Sequence, residues 1–183
     1  MLLAAIADID ACQRDPELAM SVNLHGAKYV ADSCAAGNVK MLFVSTGAVF
    51  DGKRERYLEA DPPTPISVYG LSKAMAEAHV RESLPDAIIV RASPVLGRSL
   101  RTETNSLVSS LLQKWEAGET VFASERERRN PIDAITLSEW MLRLVESGQK
   151  GVFRAGSSAP LSRFEIARAI AEKSRTGSAF CSA

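Results

Sequence analysis

The chain has 183 residues, 46% of them hydrophobic and 24% charged, and its 22 basic residues balance 22 acidic ones. A chain of that length and composition can bury a sizeable core as one globular domain, and its neutrality excludes the charge imbalance expected of a nucleic-acid or anionic-membrane binder. Cys12, Cys34 and Cys181 are odd in number and lack metal-ligand spacing, which predicts free thiols, no metal and a cytoplasmic location.

The opening run from Met1 to Ala7 is apolar but short, has no basic flank and meets Asp8 and Asp10, so neither a signal peptide nor a membrane span is expected. A short strand fits Leu2 to Ile6. Asp15-Pro16 is a helix start, a capping residue followed by proline in the first turn. Ala19, Val22, Gly26, Ala27, Val30 and Cys34 then recur at helical spacing until Gly37, predicting one amphipathic helix over a sheet face. Asn23 interrupts that stripe, and His25 is expected at the surface without a catalytic role. Met41 to Val44 reads as a buried strand ending at the hydroxyls of Ser45 and Thr46. A loop with Asp51-Gly52, Pro62, Pro63 and Pro65 leads to a helix from about Ser67 to Leu84, closed by Pro85. Ala87 to Val90 is a second continuous apolar run, as in a parallel strand buried on both faces. Helix between strands is the pattern of an α/β domain. The loop from Arg91 to Gly97 lies beyond the carboxyl end of that strand, where open parallel sheets place their sites.

From about residue 101 the pattern changes. Thr104-Asn105 precede a helical run through Leu107, Val108, Leu111, Leu112 and Trp115, ended near Gly118. A short strand at 120–122 precedes the charged block 125–129, whose alternating signs predict a solvated loop. A helix from Thr136 to Val145 starts near Asp133. A strand follows at 151–156, then a last helix capped by Ser162 with Glu165 completing a capping box, and the chain frays from Gly177.

Tyr69 and Lys73 stand one turn apart on one helix face, following the hydroxyls of Ser45 and Thr46 at a strand end. Carbonyl reduction needs such a set. As hydride arrives at carbon, the oxygen must be protonated, and a phenol can supply the proton. A nearby ammonium favours phenolate and is expected to lower the phenol pKa, and it can also hold a cofactor ribose. Thr46 adds a second hydrogen bond to the oxygen. The competing reading is an ordinary helix with a half-buried Tyr and an exposed Lys.

The surrounding residues resemble the extended short-chain dehydrogenase/reductase superfamily, and more narrowly its dTDP-4-dehydrorhamnose reductase branch. They read S-T-G-A-V-F-D-G at 45–52, Y-L-E-A-D-P-P-T-P at 57–65 and Y-G-L-S-K at 69–73, then Arg91 to Gly97, Arg129-Asn130-Pro131, and G-V-F-R-A-G at 151–156. Gly47 stands where the family usually has Asp, and Ala48 where it often has an aromatic residue. Both departures bear on sugar contacts more than on proton chemistry. The resemblance implies a Rossmann-like parallel sheet, N-terminally truncated, over 1–100, with a small α/β substrate-binding lobe over 101–183. It implies an NAD(P)-dependent reductase of a nucleotide-linked 4-keto sugar, with Thr46, Tyr69 and Lys73 catalytic. Ala4, Ala5, Ser45, Tyr69, Lys73, Arg91 and Ser93 would line NADP or NAD. Thr46, Val49, Phe50, Asn105 and Arg129 would meet the sugar nucleotide, and Asn23 would support the active-site strand.

Two other readings stay open from the same motifs: a non-catalytic subunit resembling the regulatory subunit of methionine adenosyltransferase, and an epimerase or dehydratase of nucleotide sugars. A homodimer or a heteromeric partner is compatible with all three. No glycine-rich G-x-G-x-x-G turn follows a strand here, although such a turn normally cradles the dinucleotide. The sequence is therefore expected to be a fragment of a complete reductase, the alternative being a natural short form without catalysis.

Overall fold

The computed structural model describes residues 1–54, 56–99 and 106–174, together with the backbone of 180–182. In chain order the elements are α1 (Ile9–Arg14), α2 (Pro16–Met20), a π-helical turn (Ser21–Gly26), α3 (Ala27–Ala36), β1 (Leu42–Thr46), a 3₁₀ turn (Gly47–Val49), α4 (Val68–Ser83), β2 (Ile88–Ala92) and β3 (Val95–Leu96). Then come α5 (Leu107–Glu116), β4 (Val121–Ala123), β5 (Arg128–Arg129), β6 (Ile132–Asp133), α6 (Ala134–Glu146), β7 (Gly151–Ala155), β8 (Leu161–Ser162), α7 (Arg163–Ser174) and β9 (Phe180–Ser182). Among the described residues no helix is long and apolar enough to cross a membrane, and no cluster of side chains is placed to hold a metal ion.

Two compact units emerge. The first comprises Met1–Ala92 and Ser138–Ala155. Its sheet is parallel, ordered β1-β2-β7, with Leu42 opposite Ile88 and Ile88 opposite Gly151. Leu2 adds a single parallel bridge to Phe43 on the free side of β1, so the strand expected over Leu2–Ile6 is reduced to that bridge. Segment 138–155, expected in the substrate lobe, instead supplies the third strand of this sheet. There Phe153 of β7 meets Trp140 of α6 edge-on, with ring centroids 6.1 Å apart. The second unit comprises Ser93–Leu137 and Gly156–Ala183. It holds the short pairs β3-β6, β4-β9 and β5-β8, and a core of Leu111, Trp115, Val121, Ala123, Ala167 and Ala171. The fraying expected from Gly177 falls largely outside the described residues, but Phe180–Ser182 form a strand along β4.

The first unit's core explains its sequence. Phe43 and Ile89 from the sheet meet Leu24, Ala27 and Ala31 from one helix and Ala76 and Val80 from α4. Small residues on both helices let them approach the sheet closely. The single helix predicted over 16–37 is interrupted by the π turn. One extra residue in that turn shifts the buried stripe, so that Val22 and Val30 face outward while Asn23, Leu24 and Ala31 are buried. A π insertion changes the phase of a helix without changing its composition.

Candidate active site

All the groups that form the site belong to the first unit. Strand β1 ends at Ser45 and Thr46, and the Thr46 hydroxyl accepts from the Ala48 amide at 3.1 Å, capping the 3₁₀ turn. Helix α4 begins at the same level. Ser67 caps it by accepting from the Gly70 amide at 3.0 Å, which satisfies one of the unpaired first-turn donors. Gly70 explains how the helix comes so near. A β-carbon there would lie 2.2 Å from the Ala48 carbonyl oxygen, so any side chain would push the first turn of α4 away from the turn after β1. This close approach brings the Tyr69 phenol near enough to the Thr46 hydroxyl for the two to interact.

The rest of the Y-G-L-S-K run supports that placement. Ser72 is fully buried, donates to the Tyr69 carbonyl at 2.8 Å, and accepts from the Asn23 amide nitrogen at 3.1 Å. Asn23 also accepts from the Ile6 amide at 2.8 Å and donates to the Ile6 carbonyl at 3.0 Å. Asn23 thus ties the first chain segment to the helix that carries Tyr69. The support expected for the active-site strand goes instead to the Ile6 segment and to α4, through a buried amide with its donors and acceptor used. His25 is exposed, as expected.

The electrostatics differ from the sequence expectation in one respect. Burial raises the Tyr69 pKa above its ordinary value, and the Thr46 hydrogen bond offsets only part of that rise. Lys73 is not among the causes, so the predicted depression by its ammonium gives way to desolvation. The phenol therefore stays protonated and competent as an acid. Lys73 is 2% exposed, and its ammonium lies 4.1 Å from the centroid of the Phe43 ring. Burial lowers its pKa to about 8, against an opposing pull from Glu77. Among the described residues no hydrogen-bond acceptor meets this ammonium. The hydroxyl of Ser45 is buried and likewise lacks a partner. Two buried polar groups without partners, close along the chain to Thr46 and Tyr69, fit a polar ligand such as a ribose.

The remaining assigned residues divide. Ala4 is exposed and Ala5 half-buried, two and three residues beyond the bridged Leu2, so both are available to a ligand. Val49 and Phe50 are not. Val49 has no exposed surface and Phe50 has 8%. Phe50 stacks on Tyr57 with centroids 4.3 Å apart, so both side chains are spent on packing rather than on a sugar. Arg91 also needs correction as a cofactor ligand. It is 2% exposed, and its guanidinium binds the Glu77 carboxylate and the Glu59 carbonyl while lying over the Phe50 ring.

Ser93 and Arg129 belong to the second unit. Ser93 is half-buried, and its hydroxyl lies where a β-carbon on Gly156 would need room. Arg129 is half-exposed, bonded to Glu127 at 2.9 Å and to the Arg128 carbonyl at 3.0 Å. The solvated loop expected at 125–129 is in part the strand β5, antiparallel to β8. Asn130 holds the neighbouring segment by donating to the Ser157 carbonyl at 2.9 Å. Asn105 lies outside the described residues. At Gly47 a β-carbon would meet only the Ala92 carbonyl oxygen at 3.9 Å, so glycine here is not a steric requirement.

Sequence reasoning assigned no role to Glu77 or Tyr57. Glu77 stands four residues after Lys73 on the face that also carries the buried Ala76 and Val80, and that position could have marked it as an interior carboxylate.

Comparison with known proteins follows the same lines. A family model described as "RmlD substrate binding domain" matches residues 1–182. A probable low-salt glycan biosynthesis reductase, Agl14 of Haloferax volcanii, is 33% identical over 175 residues, covering 92% of this chain and 57% of that protein. Methionine adenosyltransferase 2 subunit beta of Danio rerio is 26% identical, covering 89% of this chain and 51% of that protein. The solved dTDP-4-dehydrorhamnose reductase of Bacillus anthracis, in complex with NADP, aligns with a TM-score of 0.91 at 26% identity, over 99% of this chain and 63% of that one. The chain thus spans about half the length of the curated relatives it matches.

Proposed function

The chain belongs to the RmlD substrate binding domain family, and from that premise we propose that it carries the proton-transfer site of an NAD(P)H-dependent reductase of nucleotide-linked 4-keto sugars. The observation that carries this reading is the Thr46 hydroxyl beside a protonated, half-buried Tyr69, with the Lys73 ammonium one turn on and unpartnered among the described residues. The sequence identities favour the same side, since the glycan-biosynthesis reductase stands at 33% and the adenosyltransferase subunit at 26%.

A bound nicotinamide nucleotide supplies hydride to the sugar carbonyl. Lys73 and Ser45 are the side chains here that would hold it, because each offers a buried polar group with no other use. Tyr69 gives its phenolic proton to the carbonyl oxygen as the negative charge forms, leaving an alcohol and a phenolate. Thr46 shares a hydrogen bond with that oxygen and then with the phenolate until solvent returns the proton.

The test is NADPH oxidation by the intact protein with dTDP-4-dehydrorhamnose. Tyr69→Phe should slow it about 10²–10⁴-fold while leaving NADPH binding in place. Stoichiometric NADPH consumption separates reduction from epimerisation, and unchanged turnover in the variant would overturn the assignment.

A further inference from the structure

We propose that Arg91 is a positioning residue that holds the Glu77 carboxylate away from Lys73, so that the Lys73 ammonium stays unpaired for the site; this rests on the reductase reading above. Lys73 and Glu77 are four residues apart on one buried helix face, an arrangement in which opposite charges ordinarily meet, and with little water between them the attraction is strong. Yet among the described residues no ion pair joins them.

The geometry shows what prevents it. Glu77 receives three hydrogen bonds from Arg91, two from Nε at 3.2 and 3.1 Å and one from Nη2 at 2.8 Å. The third arm of the guanidinium, Nη1, donates to the Glu59 carbonyl at 3.1 Å, and its plane lies 5.0 Å from the Phe50 centroid. Arg91 is therefore anchored on three sides and grips both carboxylate oxygens with a planar fork that an ammonium cannot match. Glu77 and Arg91 cancel each other's charge, and the net positive charge of the three groups remains on Lys73.

No other group competes for Lys73. Of the ionisable side chains on the elements packed against α4, Cys12 is buried with its thiol pKa raised, so it stays neutral. Asp32 is bound to His79 at 2.6 Å, near the far end of the helix. Asp10, Arg14, Glu17, His25 and Tyr29 face solvent, and Lys28 and Cys34 are half-buried. Phe43 offers only its ring, a weak partner that leaves the ammonium able to donate hydrogen bonds.

The device is tested by following the protonation of Lys73 directly, by NMR of the intact protein with ¹³C-labelled lysine. Glu77→Gln removes the carboxylate charge and leaves Arg91 uncompensated, so the Lys73 midpoint should fall below about 8. Arg91→Met releases Glu77 to close on Lys73, so the midpoint should rise, each shift being about one pH unit or more. Opposite shifts support the proposal, whereas shifts of the same sign, or none, overturn it. Should Arg91→Met fail to fold, Arg91→Gln carries the same expectation. Should that fail as well, Arg91→Lys keeps the charge but not the planar fork, a rising Lys73 midpoint supporting the device and an unmoved or falling one overturning it. Tyr69→Phe turnover is read separately, so loss of the reductase reading and loss of the charge device give different results.

Discussion

Two buried cations of the first unit are treated in opposite ways. Arg91 has a carboxylate, a backbone carbonyl and an aromatic face arranged around it, and none of its charge reaches beyond that enclosure. Lys73 has a ring face, and among the described residues no acceptor. Burying an ammonium this way costs stability, and the fold carries that cost one helical turn after Tyr69, along with the unpartnered hydroxyl of Ser45. The contrast separates scaffold from site. A buried charge whose hydrogen bonds are all made holds the fold, while one left open is waiting for something outside the chain.

The contrast can be broken most forcefully at Arg91. Arg91→Met takes the three hydrogen bonds of the fork from Glu77 and leaves it only the Lys73 ammonium, and urea denaturation should show a loss of about 3 kcal/mol. Lys73→Met should show no loss or a small gain in the same measurement, because it removes a charge the fold does not satisfy. If the two substitutions cost alike, the distinction fails. Next in size is Gly70→Ala. Its β-carbon would meet the Ala48 carbonyl at 2.2 Å, so a stability loss of about 1–3 kcal/mol is expected, together with a change in Tyr69 fluorescence as the first turn of α4 shifts.

Smaller effects sharpen the comparison. Ser45→Ala removes a buried hydroxyl with no partner, and should leave the ligand-free protein unchanged or more stable by about 1 kcal/mol while weakening NADPH binding measured by calorimetry. The pH dependence of stability should carry the signature of Lys73. Its pKa is lowered in the folded protein to about 8 from 10.5, so between those values the unfolded chain binds more protons. Its contribution to stability therefore rises with pH across that window. The slope should be absent in Lys73→Met, and a wild-type slope retained in that variant would assign it to another group.

Much of this was legible from the sequence, for identifiable reasons. Strand β1 and helix α4 follow from an apolar run, a Ser67 cap and a Pro85 stop, all of them local signals. Thr46, Tyr69 and Lys73 were readable because strand end and helix turn fix their spacing. The destination of 151–155 was not readable, since a five-residue strand looks the same whichever sheet receives it. Arg91 was misread for a related reason. Its sequence neighbours read as a site loop, but its partner, Glu77, lies on another element and only the fold brings the two together. Val49 and Phe50 sit in the same run as Thr46, and nothing local reveals that the chain turns both inward, Phe50 to stack on Tyr57.

The π turn at Ser21–Gly26 has a consequence for how this helix can change. It holds one residue more than a regular helix would need, and that surplus sets the direction of the Asn23 amide. Deleting a single residue there would restore unbroken α-helical geometry and improve the local backbone hydrogen bonding. It would also rotate everything on one side by about 100° relative to the other, turning Asn23 away from Ser72 and Ile6. The segment is therefore intolerant of a length change that its own secondary structure would welcome.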